Sequence, residues 1–251
     1  MRSLIEYHHS CGIAHYSSTP QVRSGLEALE RCVSGAAESK YIRTETLPKP
    51  GEKPPKPEAV GGISMEELTA EVGGCRICPL HESRMTSTAG RGGKSPHLLI
   101  VGDWLVHGPG LQDDGLFGAE QDRMLDNMIH ALGLAPGDVF VTNIIKCSVG
   151  ASYRAATEHL AACSSYLDQQ IALLRPAVIC TMGSVSSQAL LNTEDSLISL
   201  RGEFHRYRIA DGSFISVMPT FHPTYLLKNP EMKKPTWSDL QKIGKFLAQR
   251  R

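Results

Sequence analysis

The chain has 251 residues, of which 41% are hydrophobic. This is enough apolar material for one large or two small packed domains, and it excludes a short peptide or a fibrous protein. Lysine and arginine together number 26, as do aspartate and glutamate, so the formal net charge is zero. A neutral protein has no overall field that attracts a polyanion, and any nucleic-acid binding must therefore depend on a local basic patch.

The sequence shows neither a membrane span nor a secretory signal, and this bears on the expected cellular location. No stretch approaches the roughly 18 apolar residues of a membrane span. The first residues lack the apolar core of a secretory signal, so we expect a cytoplasmic protein with no membrane partner. The seven cysteines of such a protein argue against a disulfide framework and favour metal binding, catalysis or burial.

The composition divides the chain into three parts. We expect residues 1–43 to form an accessory helical segment. Residues 44–62 contain five prolines together with several lysines, which is typical of a semi-rigid solvated linker. The folded domain is predicted over residues 63–251. Ser64 and Glu67 have the spacing of a capping box, which predicts a helix that begins there and ends near Gly73-Gly74.

Strands and helices alternate through the rest of the domain. Apolar runs predict strands at residues 97–101, 139–145 and 177–182, while apolar residues at helical spacing predict helices from residue 121, at 157–174 and at 184–191. Asp211-Gly212 is a turn signal between two hairpin strands, residues 204–209 and 213–217, and Pro235 opens a last helix. This pattern predicts an open α/β sheet, mainly parallel, with helices on both faces. In such sheets, sites form at the carboxyl ends of the strands.

Four cysteines are placed where they can converge. Cys75 and Cys78 form a CxxC pair, Cys147 follows a predicted strand, and Cys163 lies on the inner face of the next helix. Four thiolates suit either a structural zinc or an iron–sulfur cluster, and the spacing does not decide between them. The alternative for Cys163 is simple burial. The remaining cysteines are assigned no role in a site: Cys11, Cys32 and Cys180.

Several short motifs follow one another along the chain in a fixed order. They are Cys75-x-x-Cys78-Pro79-Leu80, Leu99-Ile100-Val101-Gly102-Asp103, Val141-Thr142-Asn143-Ile144-Ile145-Lys146-Cys147, Cys163 with Tyr166-Leu167, Leu174-Arg175-Pro176, Met182-Gly183, and Pro219-Thr220-Phe221-His222-Pro223-Thr224-Tyr225-Leu226-Leu227. As an ordered set they resemble the iron–sulfur uracil-DNA glycosylases, the family-four type of that superfamily, from residue 64 to residue 249.

The resemblance implies a fold, an activity and a cofactor. The fold is that of a uracil-DNA glycosylase, and the activity is base-excision repair. The enzyme flips uracil, or a related deaminated base, out of single- or double-stranded DNA and hydrolyses its N-glycosidic bond. Cys75, Cys78, Cys147 and Cys163 match the positions that hold a [4Fe-4S] cluster with a structural role. We expect the protein to act as a monomer.

The resemblance also implies roles for four residues at the site. Asn143 matches the residue that reads the uracil edge, and Phe117 the aromatic that stacks on the flipped base. His222 matches a donor to the uracil carbonyl as negative charge develops there. Asp103 stands where the family has glutamate and can replace it, with a shorter reach, as the carboxylate that positions water or supports the sugar cation. Without the resemblance, Asn143 would be interpreted as a strand-end turn residue and Phe117 as packing.

Contacts to DNA are expected from residues near these motifs. Tyr225, Leu226 and Leu227 are candidates for an apolar wedge that fills the vacated stack, with packing at a helix start as the alternative. Lys146 and Lys228 are candidates for phosphate contacts. Further candidates for the basic patch are Arg84, Arg91, Lys94, Arg154, Lys233 and Lys234.

The chain departs from the family at three places. Trp104-Leu105-Val106 follow Gly102-Asp103, where the family has a small residue and then Pro-Gly, and a tryptophan there is expected to fill space that a base needs. Gly108-Pro109-Gly110 is a candidate replacement loop. Leu116-Phe117-Gly118-Ala119 stands where the family shows Pro-Phe-Val-Gly. Ser148-Val149-Gly150-Ala151 replaces the family's proline-rich stretch after the third cysteine.

There are two rival hypotheses, the first of which is motivated by Trp104-Leu105-Val106. In the first, the protein is a relative that keeps the cluster and binds nucleic acid with altered or lost catalysis. In the second, it is an electron-transfer protein, which leaves Asn143 and His222 unexplained.

Overall fold

The computed structural model describes residues 63–107 and 115–250. The predicted accessory segment, the linker and the Gly108-Pro109-Gly110 loop lie outside these ranges. None of the helices within them is both long enough and apolar enough to cross a membrane.

The described residues alternate helices and strands. The helices are α1 (Met65–Gly74), α2 (Leu80–Ser83), α3 (Ala119–Ala131), α4 (Thr157–Leu174), α5 (Ser184–Leu191), α6 (Leu197–Leu200), α7 (Pro223–Lys228) and α8 (Lys233–Ala248). Two short 3-10 helices are Pro136–Asp138 and Pro230–Met232. The strands are β1 (Arg91–Gly92), β2 (Leu98–Gly102), β3 (Val139–Asn143), β4 (Val178–Met182), β5 (His205–Arg208) and β6 (Phe214–Thr220).

The strands form one sheet in the order β1-β3-β2-β4-β6-β5. The four central strands are parallel, and β1 and β5 are antiparallel edge strands. This confirms the predicted mainly parallel α/β sheet. Strand β1 has no counterpart among the predicted strands, because a strand of two residues carries no periodic signal.

Alternate residues of each central strand face opposite sides of the sheet. In β2, Leu99 and Val101 face the side covered by α4 and α5, whereas Leu98 and Ile100 face the side covered by α3 and α8. Both sides are therefore packed, as the continuous apolar runs predict. Each fully buried leucine, isoleucine or valine contributes about 1.5–3 kcal/mol through removal of its surface from water.

The first helix begins at the predicted capping box. The Ser64 backbone N–H donates to Glu67 Oε2 at 2.7 Å, and the Glu67 N–H donates to Ser64 Oγ at 3.1 Å. Leu68 and Val72 of α1 are buried against Tyr166 of α4. The helix thus covers α4 rather than the sheet itself.

Some predicted boundaries shift by a few residues. Helix α3 begins at Ala119 rather than Gln121, directly after Gly118 at φ +116°. Helix α8 begins at Lys233, so Pro235 lies inside its first turn. A proline is tolerated there because the first N–H groups of a helix have no intrahelical acceptor. The second central strand ends at Asn143 rather than residue 145.

The hairpin has the predicted turn. Gly212 adopts φ +87°, and the Ser213 N–H donates to Asp211 Oδ1 at 2.9 Å. A positive φ favours glycine, and an aspartate that accepts from the backbone two residues ahead is a common turn device.

A buried ion pair fastens α8 to the end of β6. Arg201 donates to Asp239 from Nε at 3.1 Å and from Nη2 at 2.8 Å, and Thr220 Oγ1 donates to the same carboxylate at 2.7 Å. The Arg201 guanidinium also lies 5.4 Å from the centre of the Phe221 ring. The Asp239 side chain is only 1% exposed, so these donors take the place of water around its oxygens.

We expect Arg201→Ala to destabilise the fold by about 3–5 kcal/mol, because it leaves the Asp239 charge buried without its partner. The free energy of unfolding, measured with denaturant, tests this. Lys94→Gln is the matched control, since it breaks only the exposed Lys94–Glu66 pair, and its unfolding midpoint should stay at the wild-type value. A similar midpoint for both variants would contradict a structural role for the buried pair.

Candidate active site

The carboxyl ends of the four parallel strands are level with one another. Gly102 at the end of β2 pairs with Asn143 of β3 on one side and with Met182 of β4 on the other, and Met182 pairs with Thr220 of β6. The chain runs from β2 to β3 on one side and returns across β2 to β4. This is the topological switch point at which open α/β sheets form their sites.

Gly102 allows two predicted site residues to meet. A Cβ atom at this position would lie 2.6 Å from Asn143 Oδ1 and would also collide with the Phe117 ring. Any other residue would therefore push these side chains apart. The glycine at the end of β2 brings Asn143 and Phe117 together.

Asn143 is fully buried, and one hydrogen bond sets the orientation of its side-chain amide. Its Nδ2 donates to the Leu116 carbonyl oxygen at 2.7 Å. Its Oδ1 is buried and has no hydrogen-bond partner among residues 63–107 and 115–250. A buried acceptor without a partner is costly, and such atoms are typical of ligand sites.

His222 presents a second buried polar atom without a partner. It is the N-cap residue of α7, and its Nδ1 accepts the Thr224 backbone N–H at 3.2 Å. Because Nδ1 is an acceptor, the proton of the neutral ring is on Nε2. That Nε2 is buried and has no partner within the described chain. Burial lowers the pKa of His222 to about 4, so the ring is neutral at pH 7.

The Phe117 ring lies next to both Asn143 and His222. Its ring centre lies 4.6 Å from that of His222, with the planes at 61°. The ring is buried against the face of the sheet that α3 and α8 cover. We therefore call the site formed by these three side chains the base pocket.

Asp103 follows β2 and faces the start of α5. Its Oδ1 accepts the Ser186 backbone N–H at 2.7 Å. Gly183 makes room for it, since a Cβ there would collide with the Asp103 carboxylate. Burial raises the pKa of Asp103 to about 6 despite these donors. The side chain is a fixed carboxylate that changes charge near neutral pH.

Trp104 points away from the base pocket. Its ring meets that of Tyr153 edge-on at 5.1 Å, within the apolar cluster on the α4 side of the sheet, whereas Phe117 lies on the other side. The segment runs beside the chain after β3, where the His107 N–H donates to the Val149 carbonyl at 2.9 Å. The expectation that Trp104 fills the space of a base is therefore wrong.

Lys146 is buried rather than presented to solvent. Its side chain donates to Thr142 Oγ1 at 2.8 Å, to the Asn143 carbonyl at 2.7 Å and to Gln170 Oε1 at 2.6 Å. The residue is 3% exposed, and burial lowers the pKa of its amine to about 7. This contradicts the prediction that Lys146 contacts DNA phosphates, because all three of its donors are used inside the protein.

The three residues of the predicted wedge differ in exposure: Tyr225 is exposed, Leu226 is buried and Leu227 is half-buried. Tyr225 is 43% exposed and stacks on Phe221 at 5.1 Å. Leu226 is 0% exposed and packs with Leu197 and Phe221, which contradicts its assignment to a DNA contact. Lys228 is exposed at the end of α7, where it is free to meet a phosphate.

The four predicted cluster ligands lie on the side of the sheet that α4 covers. Cys147 and Cys163 are buried there with Cys78 packed against them, and Cys75 packs beside Tyr166. Burial raises the pKa of the Cys147 thiol. The nearby Arg84 lowers this pKa, whereas the Cys78 and Cys75 thiols raise it further.

The thiols are thus neighbours, and their chemistry fits an iron–sulfur cluster. Within the described ranges, however, no three histidine, cysteine, aspartate or glutamate side chains are arranged to hold a metal ion as they stand. Cys180 is buried within β4, as expected.

Three residues that shape the site were missed by sequence reasoning. Leu116 acts through its backbone carbonyl, Ser186 through its backbone N–H, and Gly183 through its missing Cβ. Only Gly183 carried a signal, because a glycine directly after a predicted parallel strand indicates close approach of another group.

Comparison with known proteins identifies the family. The model of the uracil DNA glycosylase superfamily matches residues 89–241. A type-4 uracil-DNA glycosylase of Saccharolobus solfataricus is 30% identical over 74% of this chain and 87% of its own length. Enzymes of the same name from Archaeoglobus fulgidus (26% identical over 74% of this chain and 95% of the relative) and Thermotoga maritima (29%, 73% and 94%) are also similar.

The family model covers more than half of the chain, and the strand ends that build the base pocket lie within the matched residues. The chain belongs to the uracil DNA glycosylase superfamily.

Proposed function

We propose that this protein is a uracil-DNA glycosylase that hydrolyses the N-glycosidic bond of uracil in DNA. Family membership and the names of the relatives support this. The observation that carries the proposal is that two buried atoms without partners in the described chain, Asn143 Oδ1 and His222 Nε2, belong to side chains that lie beside Phe117. One is an acceptor and the other a donor, so together they suit a small ring with both kinds of group on its edge.

Uracil has such an edge. Its N3–H is a donor that Asn143 Oδ1 can accept, and its carbonyl oxygens are acceptors for the His222 Nε2–H. The Phe117 ring provides a flat apolar surface on which the flipped base can stack. A base inside a duplex reaches none of these atoms, so it must leave the stack first.

His222 is suited to stabilise the departing base as a neutral donor. When the bond from N1 to C1′ breaks, its electron pair stays with uracil and negative charge spreads to the carbonyl oxygens. A fixed N–H aimed at one of these oxygens favours the transition state over the bound substrate. Because the ring is neutral, no proton transfer from His222 is required.

Asp103 is suited to assist the attacking water. The water oxygen forms the new bond to C1′, and the carboxylate accepts the proton that the water loses. The hydrogen bond from the Ser186 N–H holds Oδ1 in place, so the side chain needs little reorganisation during the reaction.

We propose that Tyr225 and Lys228 contact the DNA next to the flipped nucleotide. Both are exposed on α7, which begins directly after His222. The proposal includes single- and double-stranded uracil-containing DNA as substrates, a monomeric enzyme and a cytoplasmic location.

We further propose that Cys75, Cys78, Cys147 and Cys163 hold a [4Fe-4S] cluster, as the family resemblance implies. The cluster supplies a structural link between α4 and the chain after α1. The shared location of the thiols and the mutual effects on their ionisation support this donor set.

A relative that binds nucleic acid without catalysis is the second candidate, and it was motivated by Trp104. Since Trp104 packs against Tyr153 on the other side of the sheet, its ring does not occupy the base pocket. This orientation favours the enzyme.

The purified protein should release free uracil from a single-stranded oligonucleotide with one uracil and nothing from the matched thymine oligonucleotide. His222→Ala should lower kcat by about 100- to 1,000-fold, the usual effect of removing one oxyanion donor. His130→Ala, which changes an exposed histidine on α3, is the control and should match wild type. Equal rates for wild type and His222→Ala would rule out the donor role.

The pH profile should report Asp103. Its pKa is about 6 and the active form is the carboxylate, so kcat/KM should be level above pH 6. It should fall about tenfold for each pH unit below, because the carboxylate becomes protonated. Asp103→Asn should be slow and should lack this descending limb. If kcat/KM of Asp103→Asn still falls below pH 6, the titrating group is not Asp103 and the prediction is wrong.

Iron analysis and visible absorbance test the cluster. Wild-type protein purified without oxygen should be brown and contain about four irons per chain. Cys163→Ser should lose most of the iron, whereas Cys180→Ser, a change at a buried cysteine in β4, should keep it. Zinc in place of iron in the wild-type protein would overturn the assignment.

A further inference from the structure

Asp122 is a buried carboxylate in the first turn of α3 to which the proposed mechanism gives no role. It is 8% exposed. Its Oδ2 accepts the Leu116 backbone N–H at 3.0 Å, and its two oxygens share the Phe117 N–H at 3.3 and 3.4 Å. Both donors belong to the loop that carries the stacking aromatic.

The same loop is held from its other side by Asn143. The Phe117 N–H and the Leu116 carbonyl belong to one peptide group. Asp122 accepts from the nitrogen end of this group, and Asn143 Nδ2 donates to the oxygen end at 2.7 Å. A peptide group bonded at both ends is polarised, so each hydrogen bond strengthens the other.

The sequence explains why a side-chain acceptor is needed here. Leu116 is 0% exposed. A buried leucine N–H must find an acceptor or the fold loses stability. Asp122 supplies that acceptor.

Ion pairing with Arg91 does not by itself explain why an aspartate is buried at position 122. Arg91 Nη2 lies 4.0 Å from Asp122 Oδ1 but only 3.4 Å from the exposed Asp126. The two backbone donors are therefore the closer partners of Asp122. Burial raises the pKa of Asp122, and the Leu116 and Phe117 N–H groups favour its ionised form.

We propose that Asp122 is a positioning residue for base recognition, which fixes the Leu116–Phe117 peptide and through it the Asn143 amide and the Phe117 ring. This inference rests on the proposed function. The fixed peptide carbonyl binds Nδ2 of Asn143 and leaves Oδ1 for the base. An acceptor at that place suits the N3–H of uracil and opposes cytosine, whose N3 is itself an acceptor.

If the peptide were released, the Asn143 amide would lose the partner that sets its orientation. Its Oδ1 and Nδ2 could then exchange places, and the pocket would offer a donor where uracil needs an acceptor. Asp122 therefore contributes to the preference for uracil over cytosine without touching either base.

The first test measures the anchoring without any turnover. Amide hydrogen exchange at Leu116 and Phe117, followed by NMR, should be at least about tenfold faster in Asp122→Ala than in wild type, since protection depends on these hydrogen bonds. Asp122→Asn keeps one oxygen acceptor and should lie between the two. Asp126→Asn, a change at the other partner of Arg91, is the control and should exchange as wild type. Unchanged exchange in Asp122→Ala would overturn the proposal.

The second test measures recognition. We expect Asp122→Ala to lower kcat/KM on single-stranded uracil DNA by about 100-fold, the scale of a misplacement of about 1 Å. Inhibition by free uracil should weaken, and the ratio of uracil to cytosine release should fall. Asp122→Asn should recover part of each loss, and Asp126→Asn should equal wild type. Faster exchange together with unchanged kcat/KM and uracil inhibition would reduce Asp122 to a purely structural role.

Failure of the proposed glycosylase activity can be distinguished from failure of the positioning role of Asp122. A wild-type protein that releases no uracil would overturn the proposed glycosylase activity. Binding of free uracil to wild type and Asp122→Ala, followed through the Asn143 side-chain amide signals, would then still decide whether Asp122 positions the pocket. Should Asp122→Ala fail to fold, Asp122→Asn carries both tests because it keeps the shape of the side chain.

Discussion

The site depends on four parallel strands that end at the same level. Because Gly102, Asn143, Met182 and Thr220 are in register, the residues that follow them are neighbours in space although they are far apart in the chain. The sheet is rigid since both of its faces are packed, and a rigid support is what a site needs to keep polar groups aimed at a ligand. Two glycines, at positions 102 and 183, then decide how closely those groups approach.

The carboxyl edge of the sheet also shows how burial sets chemical character. The same loss of water that keeps His222 uncharged raises the pKa of Asp103 to about 6. Burial alone thus produces both a neutral donor at His222 and a carboxyl group with a raised pKa at Asp103, and no charged partner contributes to either shift. This arrangement suits a reaction in which charge appears on the leaving base rather than on the protein.

Much of this was predictable from the sequence, and the errors have physical reasons. The capping box and the strand pattern are local signals, so α1 and the parallel sheet were predicted correctly. Lys146 was predicted to be a surface residue because lysine is rarely buried, and only the fold brings the three oxygens that accept its hydrogen bonds. Leu226 was misassigned since the buried side of a six-residue helix is set by its neighbours. The direction of Trp104 depends on pairing with the distant segment at Val149, which has no local signal.

The Lys146 network has a consequence for how relatives of this protein can diverge. Its three acceptors come from β3 and from Gln170 of α4, the helix that also carries Cys163. Replacement of Lys146 alone would take a donor away from Gln170 Oε1 and from the buried Asn143 carbonyl, and replacement of Gln170 alone would leave a buried ammonium short of an acceptor. We therefore expect substitutions at positions 146 and 170 to be energetically coupled, so that in relatives the two residues change together or not at all.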